Sequence, residues 1–145
     1  FTIKADDFDA QIVLQGRGFI EEKIAEIKSK GNDATQKDKN TLTVLEIVIE
    51  ALERGIEFTT VDLYESKAEE FVITEDDYLR PPLITLQGLG KSAAESIIQS
   101  RQDGEFTSIE ELKNQTSISK TVIEVMKEHG CLEGLPETNQ LSFFN

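Results

Sequence analysis

Two amphipathic stripes dominate the first third of the sequence. Apolar residues recur at helical spacing before Gly31 and again, over a longer stretch, before Gly55. They are Ile20, Ile24 and Ile27 in the first stripe, and Leu42, Leu45, Val48, Ile49 and Leu52 in the second. Because residues three or four apart share one face of an α-helix, both stretches are predicted to be helices packed on a core. Gly55 is predicted to end the second helix.

The periodicity changes after the second helix. Residues 56–58 and 71–74 are short runs rich in β-favouring residues, and they are predicted to form strands. Residues 1–16 are predicted to be irregular. Pro81-Pro82 prevents a helix from continuing, so we place a domain boundary there.

Four short helical segments follow the proline pair and repeat a simple unit. The first spans only a turn or two after Pro82, and the others are predicted at residues 91–101, 108–115 and 120–129. Each unit consists of a helix, a tight turn and a second helix, with matching apolar positions. Ser-x-x-Glu spacing predicts capping boxes that start at Ser92 and Ser108. One unit is too small to bury a core alone, whereas two packed together can do so.

The chain is strongly acidic, and this changes the expectation about partners. Fifteen Lys and Arg against 28 Asp and Glu give a net charge of −13 over 145 residues. Residues 83–145 contain five basic and nine acidic residues, a net of −4, so residues 1–82 carry −9. Counterion release requires clustered positive charge, so a free-standing, high-affinity DNA-binding protein is disfavoured. The less acidic half contains the repeated unit.

Other bulk features narrow the class of protein. A hydrophobic fraction of 38% and a charged fraction of 30% are typical of a globular chain. No apolar run reaches the length of a membrane span, so we expect no membrane partner. Cys131 is the single cysteine and is predicted to be a small core residue in a reducing compartment. The chain begins with Phe1 and no methionine, and we expect it to be a piece of a longer protein.

A glycine-flanked turn is the strongest candidate site. It comprises Gly88, Gly90, Lys91 and Ser92. Glycine allows a close approach of the backbone, and the amides that begin the next helix lack acceptors within it. Such a helix start binds anions, typically a nucleic-acid phosphate. The alternative is that the glycines only permit a sharp turn. Phosphate contact is favoured because the full helix-hairpin-helix pattern continues to residue 101.

The second unit has lost both glycines. Ser119 and Lys120 occupy the start of its second helix, where they could also contact a phosphate. The unit could equally serve only as a packing partner for the first, and the sequence leaves both interpretations open.

An apolar cluster lies at the end of an otherwise polar tail. It comprises Gln140, Leu141, Phe143 and Phe144. Exposed apolar clusters reduce solubility unless something covers them, so the three apolar side chains are predicted to enter a partner's pocket. The alternative is that the tail folds back on its own domain.

No catalytic constellation can be assembled from the sequence. Metal-dependent nucleotidyl transfer requires converging carboxylates, and the acidic runs at residues 6–9 and 75–77 are more typical of solvated turns. His129 is the only histidine and is predicted to complement the dipole at a helix C-terminus. We therefore expect no catalytic residue, metal ligand or cofactor site in this chain.

Residues 55–73, 88–106 and 119–144 together resemble the C-terminal end of the PolC-type DNA polymerase III α subunit, the replicative polymerase of low-GC Gram-positive bacteria. The likeness runs along the whole chain and is most specific from Leu83 to Phe144. It implies a tandem helix-hairpin-helix region on the primer–template duplex and a tail that binds the sliding clamp. Phe143 stands where the clamp-binding pentapeptide commonly has leucine.

The resemblance implies a layout and a parent. The expected fold is mainly α with a small β element (α+β). Residues 1–79 would be a fingers-associated region of helices and short strands, 80–133 the tandem helix-hairpin-helix domain, and 134–145 a clamp-binding tail. The parent would be a Mg-dependent nucleotidyltransferase of the bacterial cytoplasm, and the rest of its chain a partner of this segment. Whether a monovalent ion sits in the hairpin stays open.

Two other functions remain as alternatives. In the first, the chain is a protein-interaction module whose helix-hairpin-helix pair is only a scaffold, which its acidity permits. In the second, it is a stand-alone repair-type hairpin protein, which the dense negative charge before residue 82 disfavours.

Overall fold

The computed structural model describes residues 3–138, which are mainly α-helical with one small sheet, as predicted. The helices of this part are α1 (Ala10–Val13), α2 (Arg17–Ser29), α3 (Gln36–Glu53), α4 (Lys91–Arg101), α5 (Ile109–Gln115) and α6 (Lys120–His129). The strands are β1 (Val72–Ile73) and β2 (Leu79–Arg80), and 3-10 turns occur at Ala5–Asp7, Gly31–Asp33 and Leu83–Thr85.

The two predicted stripes form α2 and α3, which pack on each other. Their core-facing residues are Ile20, Ile27, Val44, Leu45, Val48 and Ala51. Thr35 begins α3 with a complete capping box, in which its side chain and that of Asp38 each accept the other's backbone N–H. At the other end, the amides of Gly55 and Ile56 donate to carbonyls of the last turn, so α3 ends where the sequence predicts.

The first residues and the sheet differ from the sequence-based expectation. Residues 1–16 were expected to be irregular, but α1 forms there because Asp9 accepts two amides at its start and because Phe8 and Ala10 are buried. Residues 56–58 supply one bridge, from Phe58 to Leu79, in place of a strand. β1 lies inside the predicted 71–74 segment, and its antiparallel partner β2 was not predicted.

The repeated unit forms two hairpins that pack together. The first hairpin turn is residues 86–90 and leads into α4, and the second is residues 116–119 and leads from α5 into α6. The first turn buries Leu86 and Leu89, and the second buries Ile118. The bounds of α4 and α6 are those predicted. The hydrophobic core continues across Pro81-Pro82, both of which are fully buried; the division of the chain at residues 79 and 80 stays a prediction.

One predicted capping box is wrong and the other holds in part. Gly90 is the N-cap of α4, so Ser92 lies inside the first turn and cannot cap it. Ser108 does cap α5, accepting the amide of Glu111 at 3.0 Å. The carboxylate of Glu111 instead accepts hydrogen bonds from Thr107 and Gln115. Within residues 3–138, no helix combines the length and the apolar character that crossing a membrane requires.

Candidate nucleic-acid interface

The first hairpin presents the start of α4 at the surface. Leu89 is buried and its amide donates to Leu86, which closes the turn. Gly90, Lys91 and Ser92 are all exposed. The turn is therefore fixed in the core through Leu86 and Leu89 and places the beginning of the helix in solvent.

The first amides of α4 are open. No side chain caps the helix, and its first backbone bond runs from the amide of Ala94 to the carbonyl of Gly90 at 2.9 Å. Within the described part of the chain, the amides of Lys91, Ser92 and Ala93 have no acceptor. Three unpaired N–H groups at the positive end of a helix dipole can bind one anionic oxygen cluster, such as a phosphate.

The two glycines of the turn differ in backbone conformation and in their surroundings. Gly88 has φ +82°, a conformation that side chains disfavour, and an added Cβ would lie 3.6 Å from Cγ2 of Val122. Gly90 has φ −83° and ψ 177°, which any residue adopts, and an added Cβ would meet nothing within 4 Å. The fold of the described chain therefore requires glycine at position 88 but leaves open space at position 90.

A carboxylate lies beside Lys91, the lysine at the start of α4. Nζ of Lys91 is 3.8 Å from Oε2 of Glu69, and their side chains are 65% and 47% exposed. Exposed ion pairs of this kind contribute little energy, so a phosphate can replace Glu69 at modest cost. Glu69 reaches the site because residues 67 and 68 accept backbone bonds from Leu83 and Ile84.

The second hairpin is built differently at the same place. Its N-cap is Ser119, whose hydroxyl accepts the amide of Val122 at 3.2 Å. Lys120 is exposed, and Ile118 is buried as Leu89 is in the first hairpin. Ser119 is therefore a cap. It binds an amide at the start of α6, and the equivalent amide at the start of α4 is free.

Side-chain hydrogen bonds hold the two hairpins against each other. Oγ of Ser96 accepts the amide of Ser117 at 3.1 Å, and Oγ of Ser100 donates to the carbonyl of Gln115 at 2.9 Å. These bonds lie on two successive turns of α4, so α4 and the second hairpin turn form one unit.

An acidic cleft of about 320 Å³ borders the first hairpin turn. Residues 88–90 form one wall, and Asp6, Asp7, Asp9 and Lys37 line the other. Nζ of Lys37 donates to the carbonyl of Asp6 and pairs with Asp7, and Asp9 caps α1. Within residues 3–138 there is no cluster of three or more His, Cys, Asp or Glu that could hold a metal ion.

His129 and Cys131 attach the end of α6 to the backbone of Val61. Nε2 of His129 accepts the Val61 amide at 2.9 Å, and Sγ of Cys131 donates to the Val61 carbonyl at 3.3 Å. Burial lowers the pKa of His129, against a smaller raising effect of the Asp9 carboxylate. Burial raises the pKa of Cys131 to about 12. The imidazole of His129 is therefore neutral and hydrogen-bonded, so it does not complement the helix dipole as predicted.

Arg101 has a structural role that sequence reasoning missed. Its Nη1 donates to the carbonyls of Leu63 and Ser66, at 3.0 and 2.7 Å, and burial lowers its pKa. Arg101 thus joins the end of α4 to the preceding loop. The helix-hairpin-helix pattern includes Arg101. The local sequence does not indicate that its side chain binds two carbonyls more than thirty residues away.

The comparisons with known proteins agree with this geometry. The chain belongs to the helix-hairpin-helix family, whose model, "Helix-hairpin-helix motif", matches residues 55–141. It is 57% identical over 144 residues to the "DNA polymerase III PolC-type" of Caldanaerobacter subterraneus subsp. tengcongensis. The proteins of that name from Clostridium perfringens and Bacillus subtilis are 51% and 47% identical over the same length. These matches confirm the resemblance inferred from the sequence.

These matches cover nearly all of this chain but only a small part of each relative. Each alignment covers 99% of this chain but 10% of the relative, so the chain spans about a tenth of the length of the curated relatives it matches. The predicted clamp-binding residues, Gln140, Leu141, Phe143 and Phe144, lie outside the described residues.

Proposed function

We propose that this chain is a non-catalytic, C-terminal segment of a replicative bacterial DNA polymerase that grips the duplex backbone. The first hairpin makes the main contact through Gly88, Gly90, Lys91 and Ser92. Ser119 and Lys120 of the second hairpin contribute less. Nucleotidyl transfer and its Mg²⁺ belong to the rest of the polymerase chain, which acts in the cytoplasm at the replisome.

The open N-terminus of α4 is the observation that carries this proposal. Its three free amides, the open space at Gly90 and the adjacent Lys91 lie together at the surface, and we propose that a phosphate binds there. Main-chain amides bind phosphate oxygens and make no contact with base edges, so the grip is independent of DNA sequence. This suits a segment that must move along primer–template of any sequence.

The acidity of the chain is compatible with a weak grip. A net charge of −13 opposes DNA binding by the isolated chain. Within a polymerase that already holds the duplex, tethering supplies a local concentration that can reach about millimolar, so weak phosphate contacts suffice.

Fluorescence anisotropy with a short labelled duplex tests the proposal. We expect weak binding that is equal for two unrelated sequences and that weakens steeply with salt. Two phosphate contacts would give a slope of log K against log salt of about −2. Micromolar binding that ignores salt, or affinities that differ between the two sequences, would contradict a phosphate-based grip.

For the tail, we propose that it tethers the polymerase to the sliding clamp. The support is the sequence pattern and its resemblance to the clamp-binding pentapeptide. Replacing Leu141 and Phe144 together by alanine is expected to abolish clamp binding in a pull-down and to leave duplex binding unchanged. Undiminished capture of the clamp by the double variant would remove the tail from the proposal.

A protein-interaction scaffold remains the second candidate function, and the Lys91–Glu69 pair favours it. In that case the Glu69 carboxylate neutralises the charge of Lys91 in the native state, and the turn does not bind DNA. The Glu69→Gln variant separates the two functions. A phosphate grip predicts that duplex binding at low salt tightens by about twofold, since one competing charge is removed. A scaffold predicts no change.

A monovalent ion at the first hairpin is a minor part of the proposal. The turn offers main-chain carbonyl oxygens and no carboxylate ligand of its own, which suits a weakly held, exchangeable cation and not Mg²⁺. Equal duplex affinities in sodium, potassium and tetramethylammonium chloride of the same ionic strength would argue against such an ion.

A further inference from the structure

Gln87, the residue just before the turn glycines, is held by the beginning of α1. Nε2 of Gln87 donates to Oδ2 of Asp9 at 2.8 Å, and the backbone amide of Gln87 donates to Oε1 of Gln11 at 3.4 Å. The other oxygen of Asp9, Oδ1, accepts the amides of Gln11 and Ile12. Asp9 therefore uses one oxygen to start α1 and the other to hold the hairpin turn.

We propose that Asp9 is a positioning residue for the phosphate-binding turn, an inference that rests on the proposed function. Leu86 and Leu89 fix the turn in the core, but Gln87 and Gly88 between them are exposed, and a glycine leaves the backbone there free to reorient. The Gln87–Asp9 bond supplies a further fixed point in this exposed part of the turn, from a residue 78 positions away in sequence. Preorganised donors bind an anion more tightly than donors that must first be ordered.

The charge of Asp9 acts in the opposite direction to its hydrogen bond. Its carboxylate lines the cleft beside the turn, where it repels an approaching phosphate. A variant that removes both the charge and the bond would therefore give an ambiguous result. The bond has to be tested between two variants that both lack the charge.

Asp9→Asn and Asp9→Ser form such a matched pair. Asn and Ser both cap helices well, so α1 is retained in both variants. Asn also offers an amide nitrogen that can donate to Oε1 of Gln87 once the Gln87 amide turns over, whereas Ser is too short to reach it. Only Asp9→Asn keeps a side-chain hydrogen bond between residue 9 and Gln87.

Duplex affinity is expected to be about threefold weaker for Asp9→Ser than for Asp9→Asn, at the lower end of the value of one hydrogen bond. In the Gln87→Ala background the difference in affinity should vanish, because position 87 then has no side chain that residue 9 can bind. In the DNA-free chain, the backbone amide resonances of Leu89, Gly90 and Lys91 should shift in Asp9→Ser and stay near their wild-type positions in Asp9→Asn.

The outcomes separate this inference from the function it rests on. A wild-type chain that fails to bind duplex overturns the proposed function, and the DNA role of Asp9 with it. A wild-type chain that binds, with equal affinities for Asp9→Ser and Asp9→Asn, overturns only the positioning role. Unequal affinities that persist in the Gln87→Ala background also overturn it, because Asp9 would then act by another route.

Discussion

The two hairpins have the same skeleton and different helix starts. Each has a turn anchored by buried apolar residues and leads into a helix with an exposed lysine at its first position. In the first hairpin the N-cap is Gly90, which accepts no amide through a side chain; in the second it is Ser119, which does. The same packing can therefore present either open amides or a closed cap at the start of a helix.

The two hairpins are attached to the rest of the chain by different contacts. His129 and Cys131, at the end of α6, hold both polar groups of the Val61 peptide. The first hairpin turn is held to α1 through exposed hydrogen bonds of Gln87. At the end of α4, Arg101 donates to the carbonyls of Leu63 and Ser66, so the second helix of each hairpin is fixed to the loop before Pro81.

The largest expected effect tests whether the two hairpins are equivalent in the core. Leu89→Ala and Ile118→Ala each remove a buried anchor, and each is expected to lower the free energy of unfolding by about 2–5 kcal/mol. Urea denaturation monitored by circular dichroism measures both. A negligible cost for either variant would show that its turn is not packed as described.

The two glycines of the first hairpin should separate stability from binding. Gly88→Ala is expected to cost about 1–2 kcal/mol of unfolding free energy, because alanine disfavours φ +82°. Gly90→Ala is expected to cost less than about 1 kcal/mol and to weaken duplex binding by roughly fivefold, because its Cβ would occupy the space left for a phosphate. Urea melts and anisotropy titrations measure the pair. A Gly90→Ala chain with wild-type affinity would show that position 90 is not approached by DNA.

Charge reversal at the two helix starts should reveal the difference between the hairpins directly. Lys91→Glu is expected to weaken duplex binding on the order of tenfold at low salt and to reduce the salt slope by about one. Lys120→Glu, its matched control, is expected to cost only about threefold, because the Ser119 cap leaves fewer amides for a phosphate. Equal losses at the two positions would mean that both hairpins bind DNA alike.

The smallest effect concerns the attachment of α6 through His129. Because the folded pKa of His129 is lowered below its unfolded value near 6.5, the unfolded chain binds the additional proton first. The stability from the Val61 bond is therefore present above about pH 6.5 and is lost as pH falls below it. The free energy of unfolding should drop more between pH 7.5 and 5.5 for the wild type than for His129→Gln, whose side chain can still accept a bond. The same drop in both chains would contradict this role.

Local signals predicted the repeated unit well. The glycine turn and Gly130 fix the bounds of α4 and α6, and the apolar stripes give α2 and α3. The Ser92 capping box failed for a local reason too, since Ser-x-x-Glu spacing also occurs inside a first turn when glycine is the cap.

The rest of the structure depends on contacts between distant residues. β2 forms because Leu79 meets both Ile73 and Phe58, and α1 forms on a core that includes Phe71. The site itself is affected in the same way. Neither the Glu69 carboxylate beside Lys91 nor the attachment of the turn to Asp9 leaves a local sequence signal.

Amide chemical-shift mapping on adding a short duplex tests the central claim most directly. The open N-terminus of α4 predicts the largest shifts at Gly90, Lys91, Ser92 and Ala93, with smaller shifts at Lys120 and Thr121. Saturating duplex that leaves residues 90–93 unchanged, or that shifts only the second hairpin, would contradict the claim that these amides form the phosphate site.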